Sequence, residues 1–151
     1  MKKLMTLLFI ATLFSCETSV KTTENSQNKT EMDPQVALDV MNDYVANANA
    51  GKDAEKWVKN QKLLTDDFKK DYRKMMEDAW KDDPEMGLGF DPIFNAQDYP
   101  EKGFEIKSVD SKTGLVTLQG LDWPDFIVAT KLIEVNGEWL VDGAGVIRIP
   151  K

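Results

Sequence analysis

The chain has 151 residues, 42% hydrophobic and 30% charged, with a formal net charge of −7, which fits one domain with a modest core rather than two, and neither a disordered nor a fibrous chain. Without residues 1–15, which carry Lys2 and Lys3, 17 basic residues face 26 acidic ones and the charge is −9; that sign repels nucleic acid and anionic lipid head groups. There is no histidine and a single cysteine, Cys16, which removes the commonest general base, the commonest zinc ligand, every Ser-His or Cys-His pairing and any disulfide within the chain.

At the N-terminus Lys2 and Lys3 precede an almost wholly apolar run over residues 4–14, interrupted by Thr6 and Thr12. A membrane span needs ~20 apolar residues, so this run has signal-peptide proportions. It ends in Leu13-Phe14-Ser15-Cys16, which resembles the lipobox of bacterial lipoproteins. The resemblance implies cleavage before Cys16, a diacylglycerol thioether on that cysteine and acylation of the new amine. Several acyl chains together anchor stably where one does not. The expectation is a signal peptide over 1–15 and a lipid-anchored protein of the bacterial cell envelope, with the membrane as its first partner. Residues 17–31 are polar, lack aromatics and contain one isolated apolar residue, Val20. They cannot bury enough surface to offset their ordering entropy, so residues 16–32 read as lipidated cysteine and tether, spanning about 20–25 Å as a coil.

A single domain is expected over 33–151. Asp33-Pro34 opens a first helix, with Val36, Val40, Met41, Tyr44, Val45 and Ala48 at helical spacing and Gly51 as its stop. A short second helix runs from Asp53 to about Lys62 with Trp57 facing inward. Thr65 caps a third, whose stripe is Phe68, Tyr72, Met75, Met76 and Ala79, ended by Asp83-Pro84. Residues 85–103, with three glycines and two prolines, read as a long ordered loop. Strands follow over 104–109, 115–121, 126–135 and 138–149, the last two joined by Asn136-Gly137, the strongest short hairpin signal. Helices first and an antiparallel meander second make an α+β domain.

A two-residue turn at 136–137 pairs residues whose numbers sum to 273. One face then carries Phe126, Val128, Thr130, Leu132, Trp139, Val141 and Ile147 and is assigned to the helices, with Gly143 and Gly145 permitting close approach of a helix or ligand. The other carries Ile127, Ala129, Ile133, Leu140, Ala144 and Val146, with Lys131 opposite Asp142. A second apolar face needs a cover: the 85–103 loop, sheet curvature, a ligand or another subunit. A bulge at Gly143 or Gly145 would shift this pairing.

The segment D-P-I-F-N-A-Q-D-Y-P at 91–100, G-E-W-L-V-D-G at 137–143 and V-I-R-I-P at 146–150 resemble the domain of unknown function 3828 family of small secreted lipoproteins. The resemblance covers about residues 33–150, and Asp91, Gln97 and Asp98 match its most specific motif. It implies a cystatin-like or nuclear-transport-factor-like cone, a curved sheet wrapped around helices, and it brings no activity.

Asp91, Gln97 and Asp98 form a carboxylate pair with a nearby amide; such a set works as acid and base, binds a hard cation through oxygen, or caps turns through backbone amides, and the turn role is favoured. Trp123, in the turn Asp122-Trp123-Pro124-Asp125, either closes a pocket and anchors a partner or covers one end of the sheet. Lys131 and Asp142 read equally as a solvated cross-strand pair or a charged spot in a cavity. Trp57, Trp80 and Trp139 read as core residues. Glu77, Asp78, Asp82, Asp83 and Glu85 read as a solvated helix end rather than a calcium patch. No phosphate loop, metal-ligand cluster or cofactor motif is present, so neither metal nor cofactor is expected. The leading expectation is a non-enzymatic envelope module that binds a protein partner or small ligand, an acidic surface suiting a basic partner. The alternatives are an enzyme using a cone cavity, with Asp98 or Asp142 as base and Tyr99, Tyr72 or Lys131 as electrophilic partner, and a structural homodimer formed through the second sheet face.

Overall fold

The computed structural model describes residues 31–149. The signal-peptide, lipidation and tether expectations up to residue 30 lie outside them. Three helices, α1 (Gln35–Asn49), α2 (Ala54–Asn60) and α3 (Asp66–Asp82), precede four strands, β1 (Phe104–Asp110), β2 (Leu115–Gly120), β3 (Ile127–Val135) and β4 (Glu138–Ala144). The strands form one open antiparallel sheet in the order β1-β2-β3-β4, so the domain is α+β with its helices N-terminal to the sheet.

Local chemistry sets the helix ends. Asp33 accepts from Gln35 N–H while Pro34, with helical dihedrals, opens α1. At the other end Gly51, at φ +61°, takes the left-handed turn, and the Gly51 and Lys52 amides return to the Ala48 and Asn47 carbonyls, a Schellman closure. Asp53 and Thr65 cap α2 and α3 by accepting from Lys56 N–H and Phe68 N–H. The core takes Val40, Met41, Tyr44 and Val45 from α1, Phe68 and Tyr72 from α3, and Phe104, Val116, Leu118, Val128, Leu132 and Val141 from the sheet. All of it lies between residues 32 and 147, so the described residues carry a core of their own.

The hairpin register follows the 273 sum from Val135↔Glu138 to Leu132↔Val141, then shifts: Lys131 pairs with Gly143 and Thr130 with Ala144. Asp142 is the extra residue of a bulge. The expected Lys131–Asp142 pair is therefore absent, and Asp142 and Ala144 turn to the helix side, where both are buried. Val141, beside the bulge, directs its N–H and C=O away from β3 to the Leu63 carbonyl and the Thr65 amide. The α2–α3 connection thus covers the β4 edge. β4 also ends earlier than residue 149, because Gly145 turns at φ +59° and Ile147 folds back to bridge Ala144. Gly143 and Gly145 are hemmed by the chain's own backbone, Arg148 and Ile147 at one and Pro92 and Ile93 at the other, rather than by a helix or ligand. On the outer face Ile127 is exposed, and Ala129, Lys131, Ile133 and Leu140 are half-buried. The 85–103 loop goes to the helix side instead, plugging Ile93 and Phe94 into the core.

Candidate functional site

In an antiparallel meander successive turns lie at alternate ends of the sheet. The 136–137 turn marks one end, and there Trp139 Nε1 donates to the Glu31 carbonyl while Met32 packs on the core. Glu31 and Met32, expected as the last residues of the tether, are docked. The 121–126 turn lies at the opposite end, one nine-residue strand away, or about 30 Å at ~3.3 Å per residue. This far end carries Leu121 at 50% exposure and Trp123 at 46%. Beside them a surface hollow of 450 Å³ is lined by Asp98, Tyr99, Pro100, Glu101, Asp122 and Trp123. Two of the sequence candidates, Asp98 and Trp123, therefore meet here.

Trp123 is braced rather than loose. Its ring centroid lies 5.1 Å from Phe126, the last link of an aromatic series Trp57–Tyr44–Phe94–Phe104–Phe126–Trp123 with successive spacings of 4.6, 4.9, 6.1, 6.1 and 5.1 Å. An anchor already held in place loses little freedom on binding.

The other candidates separate. Asp91 is a staple: Oδ1 accepts from Ile93 and Phe94 N–H at 2.8 and 2.9 Å, Oδ2 accepts from the Tyr44 hydroxyl, and its backbone pairs with Ala96. Burial together with the Asp91 carboxylate pushes the Tyr44 hydroxyl far above its ordinary pKa, so it stays a neutral donor. Gln97 is exposed and donates to the Gly89 carbonyl at 3.0 Å, which joins the 87–90 segment to the far end. Asp142 is nine-tenths buried and fully engaged. Oδ1 accepts from Thr65 Oγ1 at 2.8 Å, and Oδ2 from Arg148 Nη2 at 3.1 Å. Arg148 also donates to Asp71 at 2.9 Å; these bonds raise its pKa further and clasp the C-terminal end of the sheet to α3. Both Asp142 oxygens are thus engaged by donors of the fold itself. Lys131, one position across from the glycine, stands half-buried on the outer face.

A hollow of 960 Å³ lies between α2 and α3 and mixes Lys56, Lys59, Lys69 and Arg73 with Asp53, Glu55 and Asp66 above Val58 and Tyr72. Its charges nearly balance. Among the described residues no group of three metal-ligating side chains comes together, and no helix is long and apolar enough to cross a membrane.

Sequence reasoning missed Leu121, Arg148 and the exposure of Trp80. By sequence Leu121 reads as the end of a strand and Trp80 as core. Nothing in their local pattern marks them otherwise, because exposure is decided by which segments arrive to cover them. Comparison of the chain with family models, with curated proteins and with solved structures finds no match.

Proposed function

We propose that this protein is a lipid-anchored module of the bacterial cell envelope that binds a protein partner through the end of its domain opposite the tether. The observation that carries this reading is the placement of Leu121 and Trp123, half exposed and braced from below, at the pole about one strand length from Glu31, where the chain from Cys16 arrives. Large apolar side chains held in water are a standing cost unless something covers them, and a tryptophan with a wet rim is a common anchor of protein interfaces. On this reading Cys16 fixes the protein to the membrane, and the pole opposite Glu31 is the one that meets a partner.

Two experiments test it. Cys16→Ala should abolish palmitate labelling and release the protein from membranes; retention of label would remove the anchor. A photoreactive residue placed at Trp123 should crosslink a partner in intact cells, while one at Glu138 beside the tether should not. Equal adducts at both positions, or adducts at Glu138 alone, would contradict the polarity.

A further inference from the structure

The far end is not the whole apolar surface. Among the described residues eight large apolar side chains stand exposed, and six fall in two short segments: Trp80, Met86 and Phe90, and Leu121, Trp123 and Ile127. The first group is not a frayed loop. Asp83 Oδ1 accepts from the Glu85 and Met86 amides, and Gly87 N–H returns to the Asp83 carbonyl. Gly87 lies so close over the Trp80 indole that a Cβ there would come within 3.0 Å of it. A hydrogen-bonded turn thus holds Met86 outward at 67% exposure. Methionine and tryptophan side by side give an adaptable, polarizable contact surface.

The two segments are joined. Gln97 bonds the Gly89 carbonyl, and its neighbour Asp98 lines the Trp123 hollow. The rim is predominantly acidic: Asp82, Asp83, Glu85, Asp98, Glu101, Asp122 and Asp125 are all exposed. Near them stand Lys102 and Lys81, the latter paired with Asp78. Charge elsewhere is distributed differently. Nine of the fourteen lysines and arginines among the described residues lie between 52 and 82, with eight carboxylates; the remaining five share the domain with sixteen. Of the six exposed apolar side chains only Trp80 falls within that cation-rich stretch; the other five lie outside it.

Resting on the reading above that the far pole binds a partner, we infer that the Trp80–Met86–Phe90 shelf and the Leu121–Trp123 tip are one docking surface, and that its occupant is a lysine- or arginine-rich amphipathic segment of a protein partner. Its apolar side chains lie on the two tryptophans, and its cations meet the carboxylate rim, which speeds encounter and sets orientation. A surface of this sign is repelled by anionic membranes, and its apolar part is too interrupted by carboxylates to enter a bilayer.

The test uses residues 31–151 and a short amphipathic leucine–lysine peptide, with its leucine–glutamate counterpart as control. The lysine peptide should bind, shift the tryptophan fluorescence and weaken as salt rises. Trp80→Ala and Trp123→Ala should each weaken it by ~10-fold or more, and Trp80→Phe should restore most of that, all three with melting temperatures close to the parent. No binding, or binding indifferent to both tryptophans, would overturn the inference, the second showing only diffuse attraction to a negative protein. Adsorption to zwitterionic vesicles through the same tryptophans, with no response to either peptide, would overturn it as well. If crosslinks at Trp123 persist in cells while the lysine peptide fails, the partner chemistry is wrong and the polarity of binding stands.

Discussion

Asp142 and Asp98 are both carboxylates of an acidic domain, yet their surroundings give them opposite work. Asp142 sits in the bulge of β4 with both oxygens bonded, one to the cap of α3 and one to Arg148. Asp98 stands in water beside a braced tryptophan. The first is held by the protein and holds it together; the second directs its charge outward. Asp91 belongs with Asp142, since its hydrogen bonds run to the backbone of its own loop and to Tyr44. The difference teaches that in this domain Asp142 and Asp91 are spent on structure, whereas the surface proposed for contact sets exposed apolar residues beside a carboxylate that faces water.

Removing a structural carboxylate should have the largest effect. Asp142→Ala leaves Arg148 and the Thr65 hydroxyl without their shared acceptor and is expected to destabilise by about 3 kcal/mol, lowering the thermal midpoint by roughly 10 °C or more. A melt within a degree or two of the parent would mean that the clasp contributes nothing. Tyr44→Phe should cost about 1–2 kcal/mol by taking the donor from Asp91.

The same hydroxyl sets an alkaline limit. Burial first, and then the Asp91 carboxylate, raise the folded pKa of Tyr44 above the ordinary value near 10, and burial does the same for Tyr72. The contribution of the neutral hydroxyls is present in full below pH ~10 and is lost above it, as the unfolded chain ionises and the folded one does not. Stability measured by denaturant from pH 9 to 11 should fall, and Tyr44→Phe should flatten that fall. An unchanged slope would show that Tyr44 does not hold its proton.

Substitutions at the contact surface should do least to the fold. Trp123→Ala is expected to cost about 1 kcal/mol or less, through its contact with Phe126. Lys131→Ala, on the outer sheet face, should stay within about 0.5 kcal/mol. A larger loss at Trp123 would make it part of the core and move it across the divide.

Much of the frame is legible in the amino-acid order. Capping residues at Asp53 and Thr65, the helical stripe of α1 and the Asn136-Gly137 turn are local signals, and the elements they mark are in place. The register failed at one residue. A bulge leaves nothing visible in the pattern, and the two glycines that accompany it are equally compatible with a ligand, so the simple register sets Lys131 against an aspartate that in fact turns the other way. The end of β4 failed for the same reason, since Gly145 turns the chain on itself. Of the candidate surface, Trp123 and Asp98 could be named because a tryptophan in a tight turn and a carboxylate in a loop stand out locally. Trp80, Met86 and Leu121 could not, since only the arrival or absence of another segment decides whether an apolar residue is covered. Arg148 is a similar case: besides Asp142 nearby, its partner Asp71 comes from α3, 77 residues away in the chain.

The most direct test of the division between holding and contact is the crosslinking yield of a photoreactive residue at Asp98 in intact cells, in the parent, in Trp123→Ala and in Asp142→Ala, grown below the melting temperature of the last. The expected result is a partner adduct that disappears with Trp123→Ala and persists with Asp142→Ala in proportion to the folded protein remaining. An adduct that survives loss of Trp123, or that vanishes with Asp142→Ala while the domain stays folded, would contradict it.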